Sequence, residues 1–159
     1  MVRRVNQFIG CVAALAAVTS MAACSSHKKG SLDKFTIEDQ QQPIQKNWKN
    51  DKGEVQVDCE SGDKGEFYIQ LGGKRAVGPT PGDIRLKDGG TTVWVIWLEP
   101  LHYESGAKAG NGMTFSGAKA TKSGSTYTVT GIGEDRGKDY RHAGDYPFKQ
   151  FEIQVTCPS

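Results

Sequence analysis

Apolar and polar residues alternate with a period of two along much of this chain, the pattern of strands that bury one face. In residues 54–59, Val55, Val57 and Cys59 share one face, while Glu54, Gln56 and Asp58 take the other. Residues 61–65 predict a turn, after which Phe67, Ile69 and Leu71 resume the pattern until Gly72-Gly73 stops it. Lys34-Phe35-Thr36-Ile37 alternates in the same way and sets the domain start near Asp33, and residues 39–43 predict a loop. Pro79, Pro81 and Gly82 mark another loop, and residues 84–86 a short edge strand ended by Asp88-Gly89-Gly90. Met113, Phe115 and residues 126–132 supply two more strands flanking a hairpin turn at residues 122–125, and residues 134–145 form a charged, solvated loop. The chain closes on a strand with Phe151, Ile153, Val155 and Cys157 on one face. With no repeat and no helix longer than a turn or two, the expected fold is all-β, a single antiparallel sandwich or partly open barrel.

Residues 92–98, Thr-Val-Trp-Val-Ile-Trp-Leu, are apolar on both faces. A central strand covered on both sides accounts for this. The alternative is that one side meets a ligand, in a groove formed by Trp94, Trp97 and Leu98 with Leu101 and Tyr103. Trp94 and Trp97 are three apart, so regular alternation sends them to opposite faces and predicts one in the core and one partly exposed.

The N-terminus follows a different pattern. Arg3 and Arg4 precede an apolar run at residues 8–18, which is far short of the ~20 residues that span a membrane, and the run leads to Met21-Ala22-Ala23-Cys24. This is a signal peptide whose cut site resembles the lipobox of bacterial lipoproteins. Residues 1–23 are expected to be removed, leaving Cys24 to carry a thioether-linked diacylglycerol and an N-acyl chain as an effectively permanent membrane anchor. Residues 24–32 are then the lipidated N-terminus and a short polar tether, and residues 33–159 the β domain.

Composition sharpens this picture in two ways. The whole chain is formally +2, but the leader carries two arginines and no acid, so the mature chain is neutral and lacks the basic stripe that marks a nucleic-acid partner. Of four cysteines, Cys11 leaves with the leader and Cys24 is acylated. Cys59 and Cys157 remain, both pointing inward on their strands, and outside the cytoplasm such a pair is expected to form a disulfide. His27, His102 and His142 lack ligand spacing, so no metal is expected.

Catalytic signatures are missing. There is no nucleophile elbow, metalloprotease helix or phosphate loop, and the glycines at 131, 133 and 137 and at 110, 112 and 117 fit turns better than dinucleotide binding. His102 beside Tyr103 and Glu104 is expected to be a surface histidine, because neighbouring strand residues face opposite ways. Glu134, Asp135, Asp139 and Asp145 are offset by Arg136, Lys138, Arg141 and His142, which argues against calcium. No catalytic residue and no non-covalent cofactor is expected.

Val57-Asp58-Cys59, then Gly65, Ile69 and Gly72-Gly73, then residues 122–127 with Thr130-Gly131, and above all the terminal run 151–157, resemble the mycobacterial 19-kDa lipoprotein antigen family. The resemblance covers most of the mature chain. It implies an actinobacterial envelope lipoprotein on the outer face of the cytoplasmic membrane, a compact β domain closed by the cysteine pair, and no enzymatic activity. It also implies an adhesin and antigen whose acylated N-terminus is sensed by host Toll-like receptor 2. Two features depart from the family. The tether is short and lacks the Thr-rich, glycosylated character of its best-known member, and the segment holding Trp94, Trp97 and Leu101-His102-Tyr103 is more aromatic than usual.

Two function classes follow. One is a membrane-anchored display module recognised by other molecules. The other is a carrier that holds an envelope lipid or glycolipid in the apolar groove. An enclosed apolar cavity favours the carrier and a packed interior the display module.

Overall fold

The computed structural model describes residues 29–73, 82–109, 112–137 and 146–159. The leader, Cys24, Pro79, Pro81, Gly110, Asn111 and the charged positions 138–145 lie outside them. Strands β1 (Ser31–Ile37), β2 (Gln40–Gln41), β3 (Val57–Ser61), β4 (Phe67–Leu71), β5 (Asp83–Lys87), β6 (Thr92–Leu98), β7 (Leu101–Glu104), β8 (Lys119–Ser123), β9 (Thr126–Asp135) and β10 (Phe148–Thr156) form one antiparallel sheet. Its order is β2-β1-β10-β9-β7-β6-β5-β4-β3, with β8 paired to both β6 and β9. Two short 3-10 turns, Lys46–Trp48 and Asp63–Gly65, are the helical elements among the described residues.

The sheet curls into a partly open barrel, and a disulfide between Cys59 and Cys157 joins its edge strand β3 to the end of β10. Curling brings one face of every long strand into a common core. Phe35, Ile69, Ile84, Ile96, Leu98, Val129 and Ile153 are completely buried there, and the expected inward row Phe151, Ile153, Val155 and Cys157 is buried as a set. The pairing of β9 with β10 runs over nine residue pairs, so these two strands form the longest uninterrupted ladder.

Several local expectations differ from what is observed. The domain's first strand opens at Ser31, because Ser31 and Leu32 already pair with Thr156 and Val155. Residues 84–86 belong to an interior strand, since β5 lies between β4 and β6. The strand before the 124–125 turn is β8, while Met113 lies inside a separate loop closed by a bridge between Lys108 and Thr114, and Phe115 follows directly after it. Gly131 and Gly133 sit inside β9, not in a turn, because neighbouring elements cross there. A Cβ at Gly131 would lie 2.7 Å from the Ala118 Cβ, and one at Gly133 2.8 Å from the Leu101 Cδ1.

Candidate functional site

The central strand β6 carries the residues expected to line a groove. Arg85 of β5 pairs with Val95 and Leu86 with Val93, which leaves Trp94 as an extra, unpaired residue on β6. Such a bulge resets the alternation. Val93, Ile96 and Leu98 therefore join the core, whereas Trp94 and Trp97 both stand half-buried on the outer face. This overturns the expectation that the two indoles point oppositely. The Lys87 Nζ lies 3.8 Å above the Trp94 ring, and Trp97 meets the edge of His102 across the β6–β7 pair.

The other three groove positions have gone inward. Leu98, Leu101 and Tyr103 are at most 1% exposed and pack within the core cluster. Tyr103 meets Phe115 and Phe151 edge-on. Two surface depressions, of about 350 and 330 Å³, open elsewhere. The first is lined by Thr36, Glu38, Asp39, Ile132, Gln150 and Glu152, and the second by Lys29, Gly30, Asn50, Glu54, Val57 and Pro158. Neither includes any of the five expected groove residues.

A polar cluster unforeseen in the sequence forms where β7, β9 and β10 meet. Glu134 belongs to β9 and not to a solvated loop, and it is only 1% exposed. The Arg136 Nε and Nη2 both donate to its Oε2 at 2.7 Å, which compensates the buried carboxylate. His102, expected at the surface, is instead enclosed between Trp97 and Phe115. Its Nδ1 lies 3.7 Å from the Glu134 Oε2, and among the described residues no hydrogen-bond partner reaches it. Burial, then the Arg136 cation, pull the imidazole down to about 4, against a smaller opposing pull from Glu134. The motif offered little sign of this, since only the tertiary pairing of His102 with Glu134 brings the two side chains together.

The cluster has a pH consequence. Above pH 6.5 His102 is neutral in both folded and unfolded chains. As pH falls from 6.5 towards 4, the unfolded chain takes up a proton that the folded one refuses, so stability is lost over that window. Discounted for nearby solvent, the loss is about 2 kcal/mol. Urea unfolding at pH 7.5 and 4.5 is expected to show a larger drop for the wild type than for His102→Gln. Equal drops in both proteins refute the assignment.

Among the described residues no group of three or more His, Cys, Asp or Glu side chains is placed to hold a metal ion. The model of the family described as Mycobacterium 19 kDa lipoprotein antigen matches residues 14–157. The chain belongs to this family. The matched span begins inside the N-terminal apolar run and includes Cys24 and both bridged cysteines. Membership identifies a lipoprotein antigen associated with the envelope and not a described class of enzyme. Searches of curated proteins and of solved structures gave no match.

Proposed function

We propose that this chain is a membrane-anchored display module of the cell envelope, held on the outer face of the cytoplasmic membrane by acyl chains on Cys24. The family match carries this reading, because it spans the lipobox-like Met21-Ala22-Ala23-Cys24 and the bridged β domain together. The domain contributes a stable body that presents its surface and its N-terminus, and it performs no catalysis. Host Toll-like receptor 2 is the partner expected for the acylated cysteine. The carrier alternative has less support, since Leu98, Leu101 and Tyr103 are spent on core packing.

Cys24→Ser is the test. It removes the thioether and with it the anchor, so the variant is expected to leave the membrane fraction and to lose stimulation of cells bearing Toll-like receptor 2. A variant that partitions into detergent as the wild type does would overturn the proposal.

A further inference from the structure

The chain is fastened to the domain before its first strand begins. The Lys29 Nζ lies 2.9 Å from the Glu54 Oε2. That pair is exposed and contributes little, but the next residue is held by shape. Gly30 is wedged so closely that a Cβ there would lie 2.8 Å from the Val57 Cβ and 2.9 Å from the Pro158 Cδ. Only glycine fits, and the strap lies down across the place where β3 and the end of β10 are bridged. The eight-residue tether expected from the sequence is thereby shortened, because residues 29–32 belong to the folded body.

Length then restricts orientation. Five peptide steps separate Cys24 from Lys29, a covalent reach of at most about 18 Å. A domain of this size has a radius of gyration of about 14 Å and hence a diameter of about 35 Å. The far end of β1, where Glu38 and Asp39 turn the chain into β2, is about 20 Å along the strand from Ser31. A leash this short cannot pass round the body to bring that turn to the membrane.

We infer that the β domain rests directly on the lipid headgroups, with the hairpin at residues 49–57 and Pro158 turned to the membrane and the Glu38–Asp39 turn facing outward. This rests on the anchoring of Cys24 proposed above. The hairpin is closed by the bridge between Lys49 and Val55, and its exposed tip holds Lys52. Lys29, Lys49 and Lys52 at this hairpin and strap are balanced by Asp51, Glu54 and Asp58, so the strap and not lipid charge sets the contact.

The mature lipidated protein has Cys24 in thioether linkage and Cys59 bridged to Cys157, so Lys52→Cys and Gln40→Cys each introduce a single labelling site. Both positions are exposed. With a fluorophore at either site, the protein is placed in phosphatidylcholine vesicles doped with a nitroxide-headgroup lipid, with and without phosphatidylglycerol. Quenching at residue 52 is expected to exceed that at residue 40 several-fold in both vesicle types. A long Gly-Ser insertion between Ser26 and His27 is expected to bring the two values together. Partition with equal quenching at both sites in the native-length protein overturns the docking inference alone. Failure of the wild type to partition overturns the anchoring reading and this inference with it.

Discussion

Replacing Cys59 and Cys157 together with alanine is expected to lower the stability of the domain by about 2–5 kcal/mol. The two cysteines are 98 residues apart, so the bridge removes a very large set of open conformations from the unfolded chain. In the chain-entropy account a loop of about 100 residues is worth about 4.7 kcal/mol, a sizeable part of the 5–15 kcal/mol that holds a typical domain together. The folded state loses as well. β3 is an edge strand with β4 as its ladder partner, and the disulfide is its covalent tie to β10 across the open seam. Guanidinium unfolding of the double variant therefore should shift to a lower midpoint, with amide exchange in β3 accelerating before that in the β9–β10 ladder. An unchanged midpoint would contradict this account of the seam.

Trp48→Ala is expected to cost about 3–5 kcal/mol. Trp48 lies on the 3-10 turn Lys46–Trp48, is completely buried, and packs its ring 6.2 Å from that of Phe35 on β1. The Gln56 N–H donates to its backbone carbonyl at 2.9 Å, which ties the turn to the segment entering β3. The side chain thus fills the core beside β1 while its backbone holds the start of β3, and truncation leaves a cavity that rigid strands cannot close. Its indole N–H is buried with no hydrogen-bond partner among the described residues, so the residue contributes through volume. Trp48→Phe keeps much of that volume and should cost clearly less. Thermal or urea unfolding of both variants measures the difference, and a loss below about 1 kcal/mol for Trp48→Ala would show that the site collapses around the gap.

Period-two alternation was enough to place Phe67, Ile69 and Leu71, and Phe151, Ile153 and Val155, on inward faces, because in a half-buried strand side-chain direction follows from position alone. By the same alternation Cys59 and Cys157 face one interior, where the bridge forms. Trp48 was invisible to that argument. It is a lone aromatic in the polar run Gln45-Lys46-Asn47-Trp48-Lys49-Asn50, with no period to show that a single turn would drive it inward. The strand expected around Met113 and Phe115 does not form for a related reason, since Phe115 is buried by long-range contacts with Tyr103 and Phe148 and not by membership of a ladder.

The sequence by itself determined the all-β class, the membership of a lipoprotein antigen family, most strand positions and the cysteine pairing. Each of these depends on local periodicity or on an extended run of residues. Only the tertiary structure decided that Trp94 and Trp97 share the outer face, that His102, Glu134 and Arg136 converge, and that Gly30 is clamped against Val57 and Pro158. A one-residue bulge reverses every downstream side chain without an apolar signature of its own, and the other two arrangements join residues from distant parts of the chain. Such contacts exist only once the sheet has curled, because curvature and register are properties of paired strands and not of any one of them.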